Sequence, residues 1–320
     1  MPSRKTTADL ERGLVLRKQG GFFTVQPEDP AQEPVVCRLR GKLKRRPRTG
    51  DLVAVGDWVR FRRLPDGTGV IEDIEPRARA LSRKAPTPRG DYEQIIIANP
   101  DQAVIVFAAA QPEPRLRMLD RFLVITEKQE IPALIVANKV DLTGLDAARE
   151  TFGLYEDIGY PVLYTSAVTG QGLDALKDAL RGKVSVLVGP SGVGKTSLLN
   201  AIQPGLGLAV RAVSRATGEG RHTTTVRHMV PLEGGGYVAD TPGLKALALW
   251  DIEPEELDGY FPEMRDLVPY CQFNNCSHMD EPGCAVLQAV EEGRIHPSRY
   301  ESYVRLRLES EQGLGREDWL

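Results

Sequence analysis

Apolar and polar positions alternate in short runs over residues 12–80 of this chain, and Gly, Pro and Asp break the runs apart. Gly13-Leu-Val-Leu16, Gly21-Phe-Phe-Thr-Val25, Val35-Val-Cys-Arg-Leu39, Asp57-Trp-Val-Arg-Phe61 and Gly69-Val-Ile71 are the clearest. A period of two punctuated by turn residues predicts four or five strands closing into a small β-barrel, for which the OB-fold is the size match. From about residue 91 the rhythm changes. Apolar runs at 103–109, 133–137, 161–164, 184–188 and 236–239 alternate with helical patterns near 115–129, 144–158, 172–181 and 194–203. That alternation predicts a mostly parallel sheet covered on both faces. Beyond 250, Pro254, Pro262 and Pro269 punctuate short helices, and the tail from Pro297 reads as a terminal helix. The expected architecture is therefore multidomain: an OB-fold β-barrel at 1–90, an α/β domain at 91–250 and a small, mostly helical segment at 251–320. A chain of 320 residues has room for all three.

Chemistry enters where the predicted strands end. Gly189-Pro190-Ser191-Gly192-Val193-Gly194-Lys195-Thr196 follows the run 184–188 and opens a helical pattern that begins with Lys195, Thr196 and Ser197. This is G-x-x-x-x-G-K-[ST] in its required context, a loop whose backbone N–H groups and helix N-terminus cradle phosphates. Lys195 is expected to reach the β and γ phosphates, and the Thr196 hydroxyl to bind Mg²⁺. Asn138-Lys139-Val140-Asp141 ends the run 133–137. Asp141 can accept hydrogen bonds from the ring N–H and exocyclic amine of guanine, a donor pair that adenine lacks. Lys139 can lay its methylene stem over the base, and Asn138 can tie this loop to the phosphate loop. Thr165-Ser166-Ala167, after the next strand, fits a small-residue loop that offers a backbone N–H to the guanine oxygen.

Downstream, Asp240-Thr-Pro-Gly243 fits the D-x-x-G that holds Mg²⁺ through water and senses the γ-phosphate. The Gly-rich stretch 205–225 ends in Gly220-Arg-His-Thr-Thr-Thr225 and looks like a first switch, in which Thr224 or Thr225 completes the Mg²⁺ shell. Lys195, Thr225 and His222 are the candidate catalytic residues, and Thr196, Thr224 and Asp240 the candidate magnesium ligands. In an ordinary GTPase the phosphate loop opens the domain and N-K-x-D comes near its end. Here the order is rotated, so the domain reads as circularly permuted. Leu244 stands where many GTPases place a glutamine that orients the attacking water. His222 is the substitute the sequence offers; its alternative is a solvated loop histidine.

Cys271, Cys276, His278 and Cys284 form C-x₄-C-x-H-x₅-C, a Cys₃His set suited to tetrahedral zinc in a structural role, against a cluster of reduced, unliganded cysteines. Cys37 sits alone on a strand pattern and is expected to be a packing residue. The net charge of −3 hides an asymmetry. Residues 1–90 carry 20 Lys/Arg against 11 Asp/Glu, whereas residues 91–320 carry 21 against 33. The basic first domain, with six cations in Arg40–Arg48, points to a polyanion such as RNA, against a merely solvated basic face. The longest apolar run, Ala103–Ala110, is too short to span a bilayer, and the start Met-Pro-Ser-Arg-Lys shows no secretory pattern. The expectation is a cytoplasmic protein without a membrane partner, and nothing argues against a monomer.

With these pieces in place the chain resembles the ribosome small subunit-dependent GTPase A family (RsgA, also called YjeQ). The resemblance rests on the rotated motif order, G-R-H-T-T-T and the Cys₃His spacing, and it covers nearly the whole length. It implies a bacterial GTPase in late maturation of the small ribosomal subunit, bound to its rRNA, stimulated by the subunit and cycling between GTP and GDP. It also implies one zinc at Cys271, Cys276, His278 and Cys284, guanine nucleotide at 138–141 and 189–197, and His222 near the attacking water. Thr196 in place of the family's frequent serine keeps the hydroxyl. A different class, a nucleotide-gated RNA-binding module whose hydrolysis is incidental, stays open because of Leu244. An ATP-using enzyme is the remaining alternative.

Overall fold

The computed structural model describes residues 10–43, 50–87, 90–206, 228–240 and 252–311. The chain divides into two units, each assembled from separate stretches of sequence. One comprises Met1–Asp101, Leu180–Val186 and Ser214–Pro242, the other Gln102–Ala179, Leu187–Val213 and Gly243–Leu320.

In the first unit, β1 (Glu11–Gln19), β2 (Phe22–Pro27), β3 (Val35–Leu39), β4 (Trp58–Arg63) and β5 (Gly69–Ile74) close a barrel in the order β1-β2-β3-β5-β4. The neighbours are antiparallel except β3 and β5, which run parallel, and the arrangement is OB-like. Period-two patterning explains the closure. Val35 and Cys37 point inward while Val36 and Arg38 point out. Val15, Val25, Val59, Phe61 and Ile71 fill the interior. Cys37 is wholly buried, and burial pushes its thiol up to about 12, so it is the packing residue expected. Several barrel cations are ion-paired: Arg12 with Glu28 and Glu75, Arg77 with the buried Asp57, and Arg40 and Arg62 with Glu72. A hairpin of β6 (Ala80–Thr87) and β7 (Gly90–Ala98), not anticipated from the sequence, follows the barrel.

The α/β part runs β8 (Gln102–Ala108), α1 (Leu116–Lys128), β9 (Ala133–Asn138), α2 (Leu145–Ile158), β10 (Val162–Thr165), α3 (Leu173–Leu180), β11 (Val184–Val188) and α4 (Lys195–Ile202), then β12 (Met229–Pro231) and β13 (Tyr237–Asp240). The sheet order is β10-β9-β8-β11-β13-β12. β8, β9 and β10 are parallel, and the edge pair β12–β13 is antiparallel. Counted from β11 as strand one, the order reads 6-5-4-1-3-2. The succession reverses between β8 and β11, the place where open α/β sheets bind ligands outside the strands' carboxyl ends.

The last segment holds a 3₁₀ turn at Pro254–Tyr260, α5 (Pro262–Arg265), a second 3₁₀ turn at Val268–Tyr270, α6 (Ala285–Glu291) and α7 (Pro297–Glu311). The buried positions of α7 are Arg299, Ser302, Tyr303, Leu306 and Arg307, one stripe at helical spacing. Arg299, 1% exposed, donates to Asp120 of α1 at 2.6 Å and to Glu263 of α5 at 2.6 and 3.2 Å. Asp120 also accepts from the Tyr155 and Ser302 hydroxyls at 2.7 and 2.5 Å. No helix among the described residues is long and apolar enough to cross a membrane.

Candidate nucleotide site and metal centre

The loop Gly189–Gly194 leaves β11 and turns into α4, and two close approaches force its glycines. A Cβ on Gly189, at φ 136°, would stand 2.1 Å from the Val106 carbonyl oxygen of β8. One on Gly194, at φ 97°, would stand 2.4 Å from the Asn138 amide nitrogen. At Gly189 no other residue type fits without moving backbone, and at Gly194 a side chain would displace the Asn138 amide and strain a left-handed φ. Lys195, first in α4, curls back so that its ammonium donates to the Gly189 and Pro190 carbonyls at 2.7 Å each. The cation is thus held against the loop's own backbone.

Asn138 joins three loops. It is 1% exposed, its Nδ2 donates to the Val193 carbonyl at 2.8 Å, and its Oδ1 accepts from Thr165 Oγ1 at 3.1 Å. Lys139 adopts a left-handed φ of 63°, and its ammonium donates to the Gln111 carbonyl. Burial holds the Lys139 pKa below the ordinary lysine range, with Asp141 opposing. The Val140 N–H donates to the Thr165 carbonyl at 3.2 Å. Ser166 Oγ donates to Asp141 Oδ1 at 2.6 Å and accepts from the Val168 and Thr169 N–H groups at 3.2 and 3.1 Å. That fixes the exposed Asp141 carboxylate against the loop Thr165–Ala167. The structure therefore brings 138–141, 165–167 and 189–196 together. Asp240 ends β13, but its side chain lies outside the described residues, as do His222, Thr224, Thr225, Gly243, Leu244 and residues 44–49 of the basic stretch.

The second cluster is Cys271, Cys276, His278 and Cys284, whose ligand atoms all lie within 4.8 Å of one another. His278 Nδ1 is 3.6 Å from Cys271 Sγ and 3.4 Å from Cys284 Sγ, and those sulfurs are 4.0 Å apart. Tetrahedral zinc, with bonds of about 2.3 Å to sulfur and 2.0–2.1 Å to nitrogen, needs edges of roughly 3.5–3.8 Å. The donor set fits. Burial pushes the Cys276 thiol up to about 12 and raises Cys284, and a metal cation bound there would favour their thiolates. Neighbouring backbone is fixed by Tyr300 and Tyr303, whose hydroxyls donate to the His278 and Ser277 carbonyls at 2.8 and 2.9 Å. Burial of Glu281 opposes its ionisation, yet hydrogen bonds from Ser277 and Met279 hold its carboxyl down to about 2.

Sequence reasoning did not single out Gln111, Asp258 or the Asp120–Arg299–Glu263 group. Their roles rest on partners 28, 20 and up to 179 residues away, which no local pattern announces.

The RsgA GTPase family model matches residues 74–250, and the RsgA N-terminal domain model matches residues 12–71. The small ribosomal subunit biogenesis GTPase RsgA of Gemmatimonas aurantiaca is 47% identical over 300 residues, 93% of this chain and 96% of its own. That of Moorella thermoacetica is 45% identical over 292 residues, 91% and 94% of the two chains. Among solved structures, YjeQ from Thermotoga maritima is similar with a TM-score of 0.78 at 40% identity, covering 96% of this chain and 100% of its own. YloQ, described as a circularly permuted GTPase, has a TM-score of 0.72 at 34% identity, covering 98% and 100%.

Proposed function

The chain belongs to the RsgA GTPase family, and we propose that it hydrolyses GTP while bound to the small ribosomal subunit and its rRNA, acting late in that subunit's maturation. The observation that carries the GTPase reading is the Asn138 amide on the Val193 carbonyl, which joins the base-reading loop to the phosphate loop despite their rotated order. Hydrolysis assayed against a titration of small ribosomal subunits tests the reading. Stimulation is expected, and a rate indifferent to subunits would replace it with the nucleotide-gated RNA-binding module that Leu244 favours.

In this reading Asn138–Asp141 and Thr165–Ala167 select guanine, and Gly189–Ser197 hold the phosphates. Thr196, Asp240 and Thr224 or Thr225 would hold a Mg²⁺ that neutralises phosphate charge. His222 would orient the attacking water in place of the glutamine missing at Leu244. Zinc at Cys271, Cys276, His278 and Cys284 is structural, since protein fills all four positions. The proposed organisation is an RNA-binding barrel at 1–90, the permuted GTPase at 91–250 and the zinc segment at 251–320, in a cytoplasmic monomer.

Asp141→Asn exchanges two acceptor oxygens for one and puts an NH₂, a donor, where guanine also donates. Losing a charge-assisted hydrogen bond costs about 1.5–3 kcal/mol, roughly ten- to a hundredfold in GTP affinity. Xanthosine nucleotides, which present a carbonyl there, should gain. Titration with labelled GDP and XDP reads both effects, and unchanged base preference would remove Asp141 from the site.

A further inference from the structure

His278 is wholly buried and uses both ring nitrogens. Nδ1 faces the Cys271 and Cys284 sulfurs, and Nε2 lies 3.0 Å from Asp258 Oδ2. A carboxylate accepting from Nε2–H leaves the Nδ1 lone pair for a metal, fixes the ring's orientation and raises its basicity as a ligand. Asp258 belongs to the 3₁₀ turn Pro254–Tyr260, so this bond joins the cluster to a chain segment that contributes no ligand of its own. The segment is held elsewhere too. Ser310 Oγ donates to the Ile252 carbonyl at 2.7 Å, Arg307 Nη1 to the Pro254 carbonyl at 2.7 Å, and Lys128 to the Glu256 carboxylate at 2.6 Å. Leu257 and Phe261 are buried in the core beside it. Of these polar ties, Asp258 is the one whose partner is itself a member of the metal cluster.

We propose that Asp258 is the positioning residue for His278, and that through it the metal locks residues 252–260, the stretch that follows Asp240-Thr-Pro-Gly243 in the chain. This rests on the zinc reading given above. Metal affinity and order in 252–260 are then two readings of one bond, because whatever favours the bound metal also favours the held segment, and the reverse. With the metal absent, the imidazole loses its Nδ1 partner and is held by Asp258 alone, so Asp258 bonds a less constrained ring.

The test uses the full-length protein purified with its metal. Zinc content is measured first, and affinity is then read by competition with a colorimetric zinc chelator. Asp258→Ala should weaken zinc binding about 10–100-fold. Asp258→Asn should fall between it and the native chain, since the amide oxygen still accepts from Nε2–H without the charge. Limited proteolysis gives the second readout. New cuts within 252–260 should appear in the native protein once zinc is stripped, and in Asp258→Ala with zinc still bound. If Asp258→Ala does not fold, Asp258→Asn carries both measurements. Native protein that binds no zinc would overturn the metal reading and this inference with it. Zinc-loaded native protein with unaltered affinity in the variants, or a segment still protected after stripping, would overturn the inference alone.

Discussion

Lys195→Ala should lower GTP turnover by about 10²–10³, the loss seen when one preorganised charge or donor is withdrawn from a developing oxyanion, roughly 2.7–4 kcal/mol. The ammonium already rests on the phosphate loop, bonded to the Gly189 and Pro190 carbonyls. Phosphate oxygens carrying more charge than amide carbonyls would draw it away from them, and the γ-phosphate carries most as it is transferred. The effect should therefore fall on kcat more than on KM, since the loop's backbone N–H groups and the N-terminus of α4 remain to bind the ground state. Lys195→Arg should recover little, because a planar fork cannot fill the space of a point charge beside Gly189. The helix should survive either change, anchored by its own buried Leu198 and Leu199. Single-turnover hydrolysis with saturating nucleotide isolates the chemical step. Turnover within twofold of the native chain would place the chemistry elsewhere.

The parts of the site that can be read from the chain are those built on strand ends. Apolar runs such as 133–137 and Val184–Val188 have strand length, and the motif residues follow each run directly. Phosphate-loop glycines are legible for the same local reason, since Gly189 and Gly194 need backbone freedom whatever surrounds them. The hairpin β6–β7 is not legible, because its turn sits where the charge balance changes and the shift reads as a boundary. Asp258 is opaque for another reason. In Glu253-Pro-Glu-Glu-Leu-Asp258 it is one acid among several, and the histidine that distinguishes it lies beyond two turns and a loop. Arg299 hides best. Ser298-Arg-Tyr-Glu-Ser-Tyr-Val-Arg-Leu-Arg307 looks like a charged helix in solvent, and the acids that bury it come from α1 and α5.

That hidden arginine gives the largest expected effect on stability. Arg299→Met keeps an unbranched apolar stem but removes the charged guanidinium, which lies over the Phe261 ring at 4.6 Å. Asp120 and Glu263 would then face each other's environment without a cation, Asp120 at 1% exposure. Removing one partner of a buried pair costs about 3–5 kcal/mol, because the remaining charge keeps its desolvation penalty and loses its compensation. Asp120 is the hub, since Tyr155 and Ser302 also donate to it, and burial together with its charge pushes the Tyr155 phenol well above the usual range. Asp120→Asn removes one charge, leaves one amide oxygen to accept from a hydroxyl and offers an NH₂ that can donate to the oxygen of the other, so combined with Arg299→Met it should recover part of the loss. Urea unfolding of the two single variants and the double variant closes the cycle, with a coupling of about 0.5–3 kcal/mol expected for groups in direct contact. Hydrogen exchange locates it, since the amides of α1 and α7 should open first when the arginine is gone. A double variant that costs the sum of the single changes would mean that each acid is compensated independently, and the network would then be three neighbours rather than one unit.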